Sequence, residues 1–331
     1  SNSEGSRGRH LDGHGGKMNL GYACINMKLG YPEKGSGLNR ITTGRSMIKR
    51  TFLKDKEENN LEYVNEICLK NVMDLEKIVK WNIMNGYKFW RIGSDVFPWA
   101  SEYDLTKLKD FDKMATYLHS AGTMAKTHGL RLTSHPGPFN VLTSPHAHVV
   151  KRCIVDLSIH GQMFDLMGLS RTPYNKINIH LGGAYGDKKS AMQRFVKNFP
   201  SLPASVRSRL TVENDDKESM YSVKELYNGI YLPLGVPIVF DYHHHRFCDG
   251  GLSEQEALEL AISTWPEGII PATHYSESRS IEQEDDKIRP QAHSDYVYDK
   301  IETYGNTIDV MVEAKKKELA VERYKEIHYA N

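Results

Sequence analysis

Residues 236–247, VPIVFDYHHHRF, decide how the rest of the sequence is interpreted. The run from Val236 to Phe240 is apolar and short, which is typical of a buried strand. It ends directly in groups that bind metals, since Asp241 is followed by three consecutive histidines at 243–245. In a sheet of parallel strands, ligands and catalytic groups gather at the carboxyl ends of the strands. The question is whether other strands end in the same way.

Eight short apolar segments of this kind alternate with segments of helical periodicity. The strands are predicted at 18–25, 87–93, 130–137, 176–183, 208–215, 236–244, 268–276 and 307–315. Helices are predicted over 61–79, 105–128, 144–167, 188–198 and 295–304, and Ser222 with Glu225 and Ser253 with Glu256 form capping-box patterns that open two more. Such alternation predicts an α/β fold, a (β/α)8 TIM barrel over residues 18–331, with a doubly wound open sheet as the structural alternative.

Composition excludes several classes of protein. The formal net charge is +1, so there is no overall basic field of the kind that announces nucleic acid, and any such binding needs a local patch. The four cysteines form no CxxC pair, which favours reduced thiols. Residues 1–17 lack the apolar stretch of a signal peptide and are expected to be a disordered or expression-derived tail. No apolar run is long enough to cross a membrane, so we expect a location in the cytoplasm or nucleus. The sequence does not determine the oligomeric state, and a monomer is expected.

Polar residues stand at the ends of six consecutive predicted strands. They are His135, His180, Glu213, Asp241, His274 and Glu313, with His293 in the loop before the last strand. One such residue is ordinarily a solvated or structural group, but the repeat on successive strands makes chance clustering improbable. Imidazole together with carboxylate suits Zn²⁺ or Mn²⁺. The number of ligands exceeds what one ion needs, so two or three divalent ions sharing bridging carboxylates are expected.

The motifs that carry these residues resemble one family. TSHPG, IHLGGAYG, VEND, FDYHH, RPQAH and VMVEAK stand in the order and spacing of the UV-damage endonucleases, and the resemblance runs from Met18 to about Glu318. It implies a barrel related to endonuclease IV with a cluster of metals, usually Mn²⁺, with Zn²⁺ or Mg²⁺ as alternatives. It also implies nicking of damaged double-stranded DNA immediately 5′ of cyclobutane pyrimidine dimers, 6-4 photoproducts and, in many members, abasic sites.

The resemblance also implies roles for individual residues. The metal ligands would be His135, His180, Glu213, Asp241, His244, His274, His293 and Glu313. Glu213 would bridge two ions, and Glu213, His244 and Glu313 would serve catalysis. In an extended strand, residues 241, 243 and 245 would share a face, so the family's choice of Asp241 and His244 requires the strand to end near Tyr242. His245 would then support a ligand from behind, and His243 would be structural.

Tyr22 and Asn26 match positions that face damaged nucleotides in the family. Two positions depart from its pattern: Pro138-Phe139 stands where Gln-Tyr normally probes the duplex, and Ala272 stands where some members carry a lysine near the metals. Phe139 keeps an aromatic face for stacking, whereas Pro138 offers neither an amide side chain nor a backbone N–H. The first departure bears on which lesions the protein recognises, and the second bears on whether one metal position is occupied.

Candidate phosphate contacts are basic residues near the rim, namely Lys151, Arg152, Lys188, Lys189, Arg194, Arg207 and Arg209. Three other functions remain open on the sequence. The chain could be an apurinic-site endonuclease with little photoproduct activity, a two-metal sugar isomerase or epimerase on the same barrel, or a damage-binding protein with an inactive site.

Overall fold

The protein is described by a computed structural model that covers residues 10–11, 17–58 and 60–329. Eight parallel strands lie side by side in chain order, and the first of them pairs with the last, so the sheet closes into a barrel. The barrel strands are β2 (Lys17–Ala23), β3 (Phe89–Ile92), β4 (Arg131–Ser134), β5 (Ile177–His180), β6 (Leu210–Glu213), β7 (Ile238–Asp241), β8 (Ala272–Tyr275) and β9 (Ile308–Val312). The (β/α)8 TIM barrel is therefore confirmed, and the open sheet is excluded.

Helices connect the strands on the outside of the barrel. They are α1 (Met27–Gly30), α2 (Lys49–Glu57), α3 (Glu62–Met84), α4 (Phe111–Thr127), α5 (Ala147–Leu166), α6 (Lys188–Asn198), α7 (Ala204–Arg207), α8 (Val223–Leu226), α9 (Leu232–Leu234), α10 (Tyr242–His245), α11 (Glu254–Ile262), α12 (Arg279–Glu282) and α13 (Glu318–His328). Both predicted capping boxes form, with Ser222 and Ser253 accepting from the backbone N–H of Glu225 and Glu256. Helix α5 begins at Ala147, three residues after the predicted start at 144, and Ser144 Oγ accepts from the backbone N–H of His146.

The two faces of the barrel strands carry different residues. On β2, Met18, Leu20 and Tyr22 belong to the large core between the barrel and its helices. Ala23, Phe89, Val239, Ala272 and Met311 form a second, smaller cluster with Trp265. Three of these residues, Val239, Ala272 and Met311, lie two positions before Asp241, His274 and Glu313. Because side chains alternate along a strand, those three site residues point to the inside of the barrel at its carboxyl end.

The predicted helix over residues 295–304 is wrong. The backbone N–H groups of Asp295 and Tyr296 donate to the carboxylate of Glu282 at 2.9 and 3.0 Å. Those of Tyr298 and Asp299 donate to Glu277. A helix over 295–304 would require the N–H groups of Asp299 and Ile301 to bond carbonyls four residues earlier, and they donate instead to Glu277 and to the hydroxyl of Tyr324. The segment is an irregular loop that leads into β9.

The predicted tail lies mostly outside the described residues. Within residues 1–17 the structure describes 10–11 and residue 17. Strand β1 (His10–Leu11) pairs antiparallel with the start of β2, with His10 opposite Met18. No helix in the described ranges is long and apolar enough to cross a membrane.

Candidate metal centre

Imidazole and carboxylate groups meet at the carboxyl end of the barrel. His180, Glu213 and Asp241 are the last residues of β5, β6 and β7, while His135 and Glu313 directly follow β4 and β9. Two compact groups can each hold a cation: His135, His180 and Glu213 form one, and Glu213, Asp241, His274 and Glu313 form the other. Within each group one ligand atom per residue lies within 4.8 Å of the others. The two groups share Glu213.

Glu213 presents one carboxylate oxygen to each group. Its Oε1 lies 3.1 Å from His135 Nε2 and 3.3 Å from His180 Nε2. Its Oε2 lies 3.0 Å from His274 Nδ1 and 3.4 Å from His244 Nδ1. Burial acts to raise the pKa of Glu213, but the imidazoles, His274 foremost, hold it well below its usual range. This is the geometry expected of a carboxylate that bridges two cations.

The surroundings of the Asp241 side chain favour a positive charge between its carboxylate and those of Glu213 and Glu313. Its Oδ2 atom is buried and receives no hydrogen bond from any described residue. Burial, together with the charges of Glu213 and Glu313, raises the pKa of Asp241 well above its usual range. A buried carboxylate held against two others is costly unless a cation or a proton neutralises it. Because nitrogen and oxygen donors converge here with no thiolate among them, the set fits divalent ions such as Mn²⁺ or Zn²⁺.

The three consecutive histidines point in different directions. Strand β7 ends at Asp241, and the next four residues form the short helix α10. This turn brings His244 Nδ1 to 3.4 Å from Asp241 Oδ2 and to 2.8 Å from the carbonyl of Asn214, and His244 belongs to neither compact group. His243 Nε2 bonds the carbonyl of Gln291 at 3.2 Å. His245 packs against Phe240 at 5.5 Å between ring centroids and has Asp249 and Glu254 among its charged neighbours, and none of these three residues is a predicted ligand.

His293 lies at the edge of the cluster. It is held by a bridge between its backbone and that of Ser278, in the loop after β8. Burial lowers the pKa of the His293 imidazole, and Glu313 is the carboxylate that most opposes this. The residue belongs to neither compact group. Its ring stands 6.1 Å from the ring of His243.

Several supporting residues were not found from the sequence. Asp215 Oδ1 lies 2.6 Å from His180 Nδ1 and orients that ring, and with Glu213 it raises the pKa of His180 to about 9 against the opposing effect of burial. Asn178 donates to Glu213 Oε1 at 2.9 Å and is itself held by Thr211. Each supporting residue lies two positions along the chain from a predicted ligand: Asn178 and Thr211 before His180 and Glu213, and Asp215 after Glu213. Counting in twos from the ligands would have identified them.

Arg91 is a buried charge beside the predicted ligands that the sequence reasoning missed. It lies on β3 and donates from Nη1 to Glu313 Oε2 at 2.9 Å. Its Nη2 lies 3.0 Å from His274 Nε2, on the side of the ring opposite Glu213. The guanidinium therefore fixes two ligand residues at once. Arg91 is the residue before the last of β3 and so lies near the carboxyl end of its strand, as the six predicted residues do, but arginine is not a metal ligand and was therefore not among the residue types considered.

We expect Arg91→Met to weaken Mn²⁺ binding by about 10- to 100-fold, the range seen when a group that orients metal ligands is removed. Methionine keeps most of the volume but removes the guanidinium contacts that hold Glu313 and the Nε2 side of the His274 ring. Isothermal titration of the chelator-stripped protein with Mn²⁺ measures the effect. Arg45→Met is the matched control, because Arg45 pairs with Asp74 on α3. Equal affinities of Arg91→Met and Arg45→Met would contradict this role.

Tyr22 and Asn26 do not lie where DNA could contact them. Tyr22 is fully buried and donates its hydroxyl hydrogen bond to Asn82 on α3 at 2.6 Å. Asn26 is 1 % exposed. Its amide donates to the Tyr22 hydroxyl, and its carbonyl oxygen caps α1 at Leu29. The expectation that both face nucleotides is corrected: in this structure they join β2 to the helices around it.

Phe139, in contrast, stands free in the loop between β4 and α5. Its side chain is 86 % exposed, the highest value among the large apolar side chains described. The loop after β5 passes close to the loop that carries Phe139, since a Cβ on Gly182 would lie 2.7 Å from Val141. Gly182 also adopts φ +98°. A glycine is needed at this point for the backbone to turn.

Four of the seven basic residues near the rim bond other groups of the protein, and the remaining three are exposed. Arg209 is fully buried and bonds backbone carbonyls, among them those of Leu169 and Ser170, so it is a structural residue. Lys188 pairs with Glu225. Arg207 and Arg194 donate to the carbonyls of Leu202 and Thr143. Lys151, Arg152 and Lys189 are exposed.

The closed barrel and the buried ring of imidazoles and carboxylates at its carboxyl end define an enzyme of the (β/α)8-barrel class. The model of the family "UV-endonuclease UvdE" matches residues 18–329. The chain therefore belongs to this UV-endonuclease family.

Related proteins agree with this assignment. A UV-damage endonuclease of Schizosaccharomyces pombe is 36 % identical over 311 residues, which are 91 % of this chain but 49 % of that protein. The chain thus spans about half of that relative's length. A UV DNA damage endonuclease of Bacillus cereus is 30 % identical over 89 % of this chain and 92 % of its own. The crystal structure of SacUVDE superposes with a TM-score of 0.76 at 29 % identity, covering 93 % of this chain and 98 % of that one. Endonuclease IV from Thermus thermophilus, at TM-score 0.51 and 13 % identity over 76 % of this chain and 93 % of its own, shares the fold.

Proposed function

We propose that this protein is a metal-dependent DNA repair endonuclease that cuts one strand immediately 5′ of cyclobutane pyrimidine dimers and 6-4 photoproducts, and also at abasic sites. The observation that carries the proposal is the position of Glu213. One of its carboxylate oxygens faces His135 and the other faces His274, so a single side chain joins the two ligand groups. Membership of the UV-endonuclease family supplies the substrate class. The product ends would be a 3′-hydroxyl and a 5′-phosphate.

The proposed metal ligands are His135, His180, Glu213, Asp241, His244, His274, His293 and Glu313. When bound, two or three divalent ions supply charge stabilisation to both the attacking and the leaving oxygen of a phosphodiester displacement. The chain's own part is to hold this ligand set rigid. Asp215 orients His180, Asn178 orients Glu213, and Arg91 orients Glu313. Buried groups with locked rotamers lose little energy to reorganisation during the reaction.

Catalysis would centre on Glu213, His244 and Glu313. Glu213 joins the two ligand groups and keeps them at a fixed separation. Glu313 lies at the last strand end, with Arg91 on one side and His274 Nδ1 at 3.5 Å from its Oε1 on the other. Burial would raise the pKa of Glu313, but His274 and Arg91 hold it well below its usual range, so it stays ionised at neutral pH.

Mapping of the cut tests the proposed specificity. Three duplexes of one sequence carry a single dimer, a single 6-4 photoproduct or a single abasic site, with one end labelled. We expect one upstream product whose 3′-hydroxyl lies on the nucleotide immediately 5′ of each photoproduct and which a DNA polymerase extends without further treatment. Cleavage of the abasic duplex alone would instead support the apurinic-site endonuclease.

Binding to damaged duplex is expected to weaken steeply with salt. Each phosphate contact contributes a slope of roughly −0.9 in a plot of log binding constant against log salt concentration. Arg152→Gln should reduce that slope by about one unit if Arg152 contacts a phosphate. Lys70→Gln serves as control, because Lys70 is exposed on α3 and paired with Glu66. If the binding constant of the unmodified protein did not change with salt concentration, its basic side chains would not form a groove that binds DNA. This result would contradict the proposal that the protein acts on DNA.

A further inference from the structure

Asn214 directly follows the last residue of β6, and its fully buried side chain bonds the backbone of the next strand. Its Oδ1 accepts from the backbone N–H of Asp241 at 2.8 Å, and its Nδ2 donates to the carbonyl of the same residue at 3.0 Å. One side chain therefore holds both backbone groups of a proposed metal ligand.

The Asn214 amide continues the sheet beyond its last backbone pair. Strands β6 and β7 pair with Glu213 opposite Val239, and their register ends there. In a longer parallel ladder, the N–H and C=O of Asp241 would bond peptide groups of β6. An amide side chain offers the same donor and acceptor as a peptide group, so Asn214 supplies both bonds after β6 has ended. Aspartate would offer acceptors alone at this position, and leucine would offer neither group.

The backbone carbonyl of Asn214 holds the ring of a second proposed ligand. It lies 2.8 Å from His244 Nδ1. A carbonyl oxygen can accept but not donate, so Nδ1 carries the hydrogen of this bond. In a neutral imidazole the lone pair is then on Nε2, which is the nitrogen left to bind a cation. The contacts of Nδ1 with Glu213 Oε2 and Asp241 Oδ2, each at 3.4 Å, are on the hydrogen-bearing side of the ring.

Three consecutive residues at the end of β6 act on different parts of the metal centre. Glu213 belongs to both compact ligand groups. Asp215 orients His180 through a contact of 2.6 Å. Asn214 stands between them and connects this segment to the end of β7 and the start of α10. The positions of ligands from three neighbouring strands are therefore set relative to one another by this short segment.

We propose that Asn214 is the positioning residue that fixes Asp241 and His244 relative to Glu213, and that His244 binds its cation through Nε2. This inference rests on the proposed function. Asn214 acts through the backbone of Asp241 and the ring of His244, because its own amide is engaged by that backbone. Loss of a group that holds metal ligands in place typically weakens metal binding about 10- to 100-fold.

The test compares two buried amides that hold a backbone in the same way. Asn71 on α3 accepts from the N–H of Arg45 at 3.2 Å and donates to its carbonyl at 2.9 Å, outside both ligand groups. Asn214→Leu and Asn71→Leu each remove such a pair of bonds and keep a branched side chain. Isothermal titration of the chelator-stripped proteins with Mn²⁺ measures affinity. Nicking of a dimer duplex at increasing Mn²⁺ gives the concentration for half-maximal rate.

We expect the Mn²⁺ affinity of Asn214→Leu to fall about 10- to 100-fold, and its half-maximal Mn²⁺ concentration to rise by the same factor. Excess Mn²⁺ should restore its nicking, whereas Asn71→Leu should match the unmodified protein in both measurements. If circular dichroism shows that a leucine variant does not fold, alanine replaces leucine at both positions. Equal Mn²⁺ affinities of the folded Asn214 and Asn71 variants would overturn the positioning role.

A spectroscopic measurement tests the assignment of the His244 ring. Long-range NMR correlations of isotope-labelled histidine, with diamagnetic Zn²⁺ in place of Mn²⁺, show which ring nitrogen carries the hydrogen, and His244→Gln identifies the signal. We expect the hydrogen on Nδ1, and a hydrogen on Nε2 would overturn the assignment. Failure of either expectation in a protein that binds Mn²⁺ and nicks dimer DNA would overturn this inference alone. An unmodified protein that does not bind Mn²⁺ would overturn the proposed function.

Discussion

Glu213→Gln is expected to lower nicking of damaged DNA by on the order of 10²–10³-fold, the range found when one preorganised electrostatic group is removed from an active site. An amide has nearly the same shape as a carboxylate but is a poorer ligand and carries no charge. Since Glu213 belongs to both ligand groups, one substitution weakens two cation positions. Binding of damaged duplex should remain near that of the unmodified protein, because Glu213 is 1 % exposed and cannot contact DNA widely.

The measurement is single-turnover nicking of a duplex with one dimer, with anisotropy of the same duplex as the binding readout. Glu225→Gln is a suitable control, since Glu225 closes a capping box at α8 and lies outside both ligand groups. A Glu213→Gln variant that nicks at the unmodified rate would show that this carboxylate does not bridge. A variant that loses binding and nicking together would indicate that the substitution disturbs the fold of the barrel rim.

Phe139→Ala should strongly reduce nicking of cyclobutane dimers. Proline and phenylalanine can fill space and stack, but they cannot form the hydrogen bonds that glutamine and tyrosine would offer. Recognition should therefore depend on how easily the damaged step deforms and on one base–aromatic stack worth roughly 1–3 kcal/mol. That range corresponds to about 5- to 150-fold in binding. The 86 % exposure of Phe139 means that its removal costs little folding stability.

Relative nicking of a dimer, a 6-4 photoproduct and an abasic site by three proteins measures this effect. The unmodified chain and Phe139→Ala are compared with a double variant, Pro138→Gln with Phe139→Tyr. We expect the double variant to change the order of preference among lesions while its dependence on Mn²⁺ concentration stays the same. If Phe139→Ala leaves all three rates unaltered, the loop after β4 does not probe DNA, and the role taken from the family pattern is wrong for this chain.

The sequence predicted the barrel and the residues at its strand ends because both follow from short-range periodicity. A strand such as 238–241 is apolar until its last residue, and Asp241 is where the chain leaves the sheet. The same rule located His180 and Glu213 without any knowledge of their partners. The choice of His244 over His243 needed the family resemblance as well, because it depends on the exact residue at which β7 ends and α10 begins.

What could not be predicted depends on contacts between distant segments. The sequence of the loop at 295–304 has the local pattern of a helix, yet the carboxylates of Glu277 and Glu282 accept hydrogen bonds from its backbone N–H groups. Tyr22 was misassigned for a different reason. Its motif matches a family position, whereas its place on β2 puts it on the face that also carries Leu20 and packs against helices. The alternation along β2 already carried that information.

The central claim is metal-dependent cutting of damaged DNA, and nicking of ultraviolet-irradiated supercoiled plasmid tests it most directly. The protein is stripped with a chelator, dialysed, and assayed with and without added Mn²⁺ on irradiated and unirradiated plasmid. We expect relaxed circles only from irradiated plasmid with Mn²⁺ present, and none after Glu213→Gln at the same protein concentration. Equal relaxation of irradiated and unirradiated plasmid, or full activity of the stripped protein without added metal, would contradict the account.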